Sequence, residues 1–155
     1  MVIFLAWGSS CSGLQKNVDQ NWELARDILL ESIEQNSENG HAIYNLALLY
    51  NEMNKKDSAL FYFDACLKYI NYNPRIYYNY GLLLDEMGNE KKAEKIFISG
   101  IDLDPNDVEL NYALTVFYFN KKEFAKAKPF IDRLIIIQPE NDDIKKLHQA
   151  INSLN

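Results

Sequence analysis

The sequence predicts an all-α fold, a short solenoid of stacked helical pairs, and three observations carry that prediction. Residues of one kind recur at a spacing of 34, giving six columns: Leu46, Tyr80 and Leu114; Ala47, Gly81 and Thr115; Tyr50, Leu84 and Tyr118; Ala59, Ala93 and Ala127; Phe63, Phe97 and Ile131; Leu67, Ile101 and Ile135. Within each copy the columns keep helical spacing, 46 with 50 and 59 with 63 being i, i+4 pairs that share a helix face. Residues 74–107, PRIYYNYGLLLDEMGNEKKAEKIFISGIDLDPND, also carry the punctuation of a helical pair, with a Gly-centred turn at Met87-Gly88-Asn89 and Pro105 closing the second helix.

The totals agree. A chain of 155 residues suits one domain or one short array, and 48% hydrophobic with 25% charged residues can bury a core. The net charge of −6 repels a phosphate backbone on average, which excludes nucleic acid as the main partner.

Residues 1–17 form a leader, MVIFLAW followed by the small and polar GSSCSG. Seven apolar residues cannot span a bilayer, which takes about 20. Small residues ahead of a cysteine resemble the cleavage site of a bacterial lipoprotein, with Cys11 as the lipid-bearing residue. That resemblance implies the bacterial cell envelope in preference to the cytoplasm, with the membrane reached only through the lipid. Gly8 and the lack of a basic residue before Lys16 depart from the pattern. The other reading is a plain apolar tail.

Residues 18–39 hold a helix that continues the columns backwards through Ala25, Leu29 and Ile33, as the second helix of an earlier pair. Trp22, Leu24 and Ile28 are then expected to be covered, either by the leader folding back or by a neighbouring subunit. Units 40–73, 74–107 and 108–141 follow. In each, the Ala59, Ala93 or Ala127 column lets the second helix approach the small residue at 47, 81 or 115, while the larger columns fill the space on either side. One such pair cannot bury its apolar face alone; stacking makes a continuous core. Residues 142–155 are expected to form a capping helix starting at Asp142 or Asp143, with Ile144, Leu147, Ile151 and Leu154 on one face.

The 34-residue helix-turn-helix unit, with its small, aromatic and closing-proline columns, closely resembles the tetratricopeptide repeat. The middle copy fits best, through Gly81, Ala93, Phe97, Gly100 and Pro105; Asn71, Leu134 and Pro129 depart from the family pattern. The resemblance implies a right-handed superhelical solenoid whose first helices line a concave groove. It places Tyr44, Tyr78 and Tyr112 in that groove, with Leu48, Leu82 and Val116, and with Asn51, Asp85 and Phe119. Asn45 and Asn79 are positioned to bond a peptide backbone, and Arg75 stands beside them. Tyr offers a large apolar face and a hydroxyl at modest entropic cost, which suits protein recognition. Arg75 is the one basic residue among the inner candidates, so a clamp for a C-terminal carboxylate is excluded. Glu52, Asp85 and Glu86 make one edge acidic and favour a peptide or helix with basic residues beside apolar anchors.

No cofactor, metal or catalytic residue is expected. Cys11, Cys66, His41 and His148 have no metal-ligand spacing. The DLDPND run at 102–107 begins like a calcium loop, but Asp107 stands where the loop needs Gly and Ala113 where it needs a bidentate Glu. Glu52 and Glu86 lack a pocket to separate their pKa values. The function expected is a protein-interaction scaffold with a tyrosine-lined groove. The alternatives are an envelope lipoprotein that anchors or assembles a membrane complex, and a structural subunit whose N-terminal pair is completed by a neighbouring chain.

Overall fold

The structure, a computed structural model, describes the backbone of residues 8–154 and the side chains of residues 20–154. Among these residues there are eight helices and no strand: α1 (Gly8–Gln35), α2 (Gly40–Glu52), α3 (Lys56–Cys66), α4 (Pro74–Glu86), α5 (Glu90–Leu103), α6 (Val108–Asn120), α7 (Phe124–Ile137) and α8 (Asp142–Leu154). The chain divides into two compact units, the first ending at Ile70 and the second beginning at Asn71. In the first, α2 packs on α1 and α3; in the second, α4 pairs with α5, α6 with α7, and α8 packs on α7.

The turn inside each pair is set by one left-handed residue. Asn54, Gly88 and Lys122 have φ of 56°, 74° and 59° and stand 34 residues apart. Around each, two backbone bonds close the preceding helix. Gly88 N–H donates to Asp85 O at 2.9 Å and Asn89 N–H to Leu84 O at 2.8 Å, and the same two bonds recur at 54–55 and 122–123. This is a Schellman ending, which satisfies carbonyls that the helix itself leaves open. Glycine occupies the left-handed region without a Cβ clash, asparagine tolerates it, and lysine is strained there. Lys122→Gly is therefore expected to stabilise the protein by about 0.5–1 kcal/mol, the strain relieved less the extra freedom of glycine in the unfolded chain. A higher denaturant midpoint checks this; an unchanged one would mean the turn carries no strain.

The start of each first helix is set by a second polar column. Asn39, Asn73, Asp107 and Asn141 stand 34 residues apart, and each side-chain oxygen accepts a bond from a backbone N–H of the first turn: Ala42, Arg75, Leu110 and Ile144. Each cap contributes about 1 kcal/mol. Asn141 also accepts from Asp143 N–H, so the cap of α8 is Asn141 and the helix opens at Asp142.

Gly81 and Gly100 show how closely the helices approach. A Cβ on Gly81 would lie 2.4 Å from the ring of Phe97, so the ring of Phe97 is what lies against the small residue of α4. A Cβ on Gly100 would lie 2.7 Å from both Tyr77 Cβ and Leu110 Cδ1. Leu46, Ala47, Ala59, Tyr80, Leu84, Ala93, Leu114, Ala127, Ile131 and Leu134 are fully buried. Leu134 has room in a column where Gly100 has none because the register places Asn111 and Ile144 at the positions of Tyr77 and Leu110. Asn111 is buried and satisfied, its amide donating to Pro105 O at 3.0 Å and Asp107 O at 2.7 Å. In the first unit Cys66 is buried with Sγ 3.6 Å from Gly40 O, and burial pushes its thiol up to about 11.

Three expectations are corrected. The first helix begins at Gly8, not near residue 18, so residues 8–17 continue the same helix and cannot fold back over Leu24 and Ile28, which are 61% and 58% exposed. In α8, Ile144 and Ile151 are buried but Leu154 is exposed at the open end of the last turn. Pro129 lies inside α7, which runs unbroken from Phe124 to Ile137. The side chain of Cys11 and residues 1–7 fall outside the described residues. No helix among the described residues is long and apolar enough to cross a membrane.

Candidate functional site

In the second unit, α4 carries Tyr78, Leu82 and Asp85 at i, i+4 and i+7, which share one face of a helix. On α6, Tyr112 and Val116 do the same. The two rows wall a pocket of about 130 Å³ whose remaining lining is Phe97, Ala113 and Phe117. Phe97 and Phe117 meet edge to face with centroids 6.0 Å apart, a favourable arrangement for two rings. The rim is partly open: Leu82 is 40% and Tyr112 49% exposed.

Asp85 stands at one lip, and its carboxyl is held above the usual carboxylate range by burial and by Glu90, with Lys121 opposing. Lys121 itself is bonded to Glu90. Tyr78 and Tyr112 turn their other sides to a second, wider hollow of about 360 Å³, lined by Val108, Glu109, Gln138, Asn141, Asp143 and Ile144. Burial and the nearby carboxylates of Glu109 and Asp107 push the Tyr78 hydroxyl up, against a smaller opposing effect of Arg75. The local field around this tyrosine is therefore negative. Arg75 reaches Glu109 at 3.4 Å.

The residues expected in the groove divide into those gathered here and those turned elsewhere. Tyr78, Leu82, Asp85, Tyr112 and Val116 line the same pocket. Asn79 is half-buried on α4, and Arg75 is exposed at its start. Phe119 turns to Phe124, with centroids 5.5 Å apart, and is absent from the lining of either hollow. Tyr44 belongs to the first unit, where its ring meets Phe63 edge-on at 6.1 Å; Leu48 is half-buried and Asn45 exposed. Gln138, Asn141, Asp143 and Ile144 were not foreseen. The signal for them was the cap column at 39, 73, 107 and 141, which makes α8 the first helix of a fourth unit and brings its opening turn beside Tyr112.

The arrangement suits recognition by shape, with aromatic walls, an apolar floor and carboxylates at the margins. Among the described residues no group of three or more His, Cys, Asp or Glu is placed to hold a metal ion.

Comparison with known proteins agrees with this geometry. A family model described as YpiA-like, C-terminal tetratricopeptide repeats matches residues 41–107. Human protein O-mannosyl-transferase TMTC3 is 32% identical over 111 residues, 68% of this chain; the chain spans 12% of that protein's length. Among solved structures, the MamA protein superposes with a TM-score of 0.72 at 16% identity, covering 92% of this chain and 83% of its own. YrrB, described as a TPR protein with an unusual peptide-binding site, gives 0.68 at 22% identity, over 88% of this chain and 68% of its own.

Proposed function

We propose, on the premise that the chain is a tetratricopeptide-repeat protein, that it acts as a non-catalytic interaction scaffold and receives a peptide or helix of another protein between α4 and α6. The observation that carries this reading is the pocket with Tyr78, Leu82, Tyr112 and Val116 on its walls and Phe97 and Phe117 beneath. Leu82 and Tyr112 remain open to solvent at its rim, the kind of concave apolar surface that marks a binding site. The peptide-binding site named for YrrB supports a peptide as the class of ligand. Asp85 and Glu109 at the margins favour basic residues beside an apolar anchor.

The test is affinity capture from the native host, membrane fraction included, with the wild-type chain and with Tyr78→Ala/Tyr112→Ala. Both tyrosines reach the surface, so helicity by circular dichroism should stay unchanged. Partners held in this groove should disappear from the variant's eluate, since aromatic anchors of this type each contribute about 2 kcal/mol or more to binding. An unchanged partner set would overturn the groove reading. It would move the site to α1, whose exposed Leu24 and Ile28 support a subunit covered by a neighbouring chain.

Anchoring through Cys11 is a separate proposal. Mass spectrometry of membrane-extracted protein should then show a diacylated cysteine at the N-terminus, and an intact Met1 on protein from the native host would sink it.

A further inference from the structure

We propose that the segment bound in the groove presents an arginine, its guanidinium held in the wider hollow by Glu109 and Asp143 between Tyr78 and Tyr112, while an apolar side chain of the same segment fills the pocket beside Leu82. The inference rests on the groove reading above and gives it a ligand chemistry. Two carboxylates reach the hollow from different helices, Glu109 in the first turn of α6 and Asp143 in the first turn of α8. Their present partners lie on the solvent side and do not line the hollow. Arg75 meets Glu109 at 3.4 Å with its side chain 66% exposed, and Lys146 meets Asp143 at 3.1 Å with its side chain 75% exposed. Exposed pairs of this kind contribute little and are readily exchanged.

The other polar groups are already engaged. Asn141 caps α8 and donates to Gln138 Oε1 at 3.2 Å, so these two side chains give the hollow its shape. Two helix N-termini open nearby, an arrangement that attracts anions in general. Here the N–H groups of Leu110 and Ile144 are taken by Asp107 and Asn141, and carboxylates stand in both first turns. The site therefore selects a cation. Of the two basic side chains, guanidinium is planar, weakly hydrated, able to stack on tyrosine faces and to fork between carboxylates, whereas ammonium holds its water.

The spacing follows from α6. Glu109 and Val116 are seven residues apart, about 10 Å along the helix axis. An extended peptide covers that distance in about three residues. The arginine and the apolar anchor should thus be separated by about three positions.

The test uses the full-length chain and fluorescein-labelled ten-residue alanine-based peptides carrying one Leu and one Arg at separations of two to six, read by fluorescence anisotropy. Control peptides replace Arg with Lys, citrulline or Ala. The Leu–Arg peptides should bind best at a separation near three. Replacing Arg with Lys should weaken binding about five- to tenfold, and citrulline more, because the stacked fork is lost. Glu109→Gln/Asp143→Asn should weaken the Leu–Arg peptide far more than the Leu-only peptide. Arg75→Ala should tighten the Leu–Arg peptide about two- to threefold, since it frees Glu109.

Equal affinity for the Arg, Lys and citrulline peptides, or weaker binding by Arg75→Ala, would overturn the arginine subsite. If the Leu-only peptide still binds and is lost in Tyr78→Ala/Tyr112→Ala, the groove reading survives that result. Peptide binding that ignores both tyrosines would remove the groove reading and the arginine subsite together.

Discussion

Replacing Phe97 with alanine is expected to destabilise the protein by about 3–5 kcal/mol, the range for removing a fully buried aromatic ring. The ring is 1% exposed and joins three features. It lies where a Cβ on Gly81 would fall, so it fills the space that the glycine leaves on α4. It meets Phe117 of α6 edge to face at 6.0 Å. It also floors the pocket between α4 and α6. The neighbours cannot collapse into the void without moving two helices, which places the cost toward the upper end of that range. Denaturant unfolding checks it: the midpoint should fall with little change in slope. Phe97→Leu keeps most of the volume and should lose about 1 kcal/mol. A loss below about 1 kcal/mol for Phe97→Ala would show that the ring is not a packing centre.

Replacing Gly100 with leucine should be comparably damaging, for the opposite reason. Here the problem is excess volume, and the costliest neighbour is Tyr77 Cβ, 2.7 Å from where the new Cβ would stand. That atom is fixed to the backbone of α4 and cannot swing aside as the end of a side chain can. Leu110 closes the other side at 2.7 Å. Overpacking of this kind typically costs about 1–3 kcal/mol, and three further carbons put leucine at or above the upper limit. Gly100→Ala makes the test sharper. At an exposed helical site that change would stabilise by about 1 kcal/mol through helix propensity. At this buried contact the clash should reverse the sign. A more stable Gly100→Ala would show that α4 and α5 are free to separate.

The sequence made the core legible because apolar columns at a fixed spacing report directly on burial. Leu46, Ala59, Tyr80, Ala93, Leu114, Ala127 and Ile131 are all fully buried. The polar columns were harder to see. Asn39, Asn73, Asp107 and Asn141 bury little area, and their role appears only when a backbone N–H is found on each oxygen. The left-handed column was visible at Gly88 and hidden at Asn54 and Lys122, since neither residue type signals positive φ on its own.

The groove was legible on α4 and α6, where one helix face is set by sequence spacing. It was not legible where a ring had a choice of neighbours. Phe119 had Phe124 across the turn within its own helical pair, and Tyr44 had Phe63. Nor could spacing show that the opening turn of α8 would form a wall beside Tyr112, because that depends on how α8 sits on α7.

The two turn columns have a consequence for how such a chain can change length. Capping residues at 39, 73, 107 and 141 and left-handed residues at 54, 88 and 122 share one phase. Duplicating or excising 34 residues at any point joins a cap to a helix start and a left-handed residue to a helix end. A gain or loss of any other size puts a cap inside a helix or a strained turn inside a core. Length variation in descendants of this chain should therefore be quantised in whole units, with the junctions tolerated wherever the cut falls.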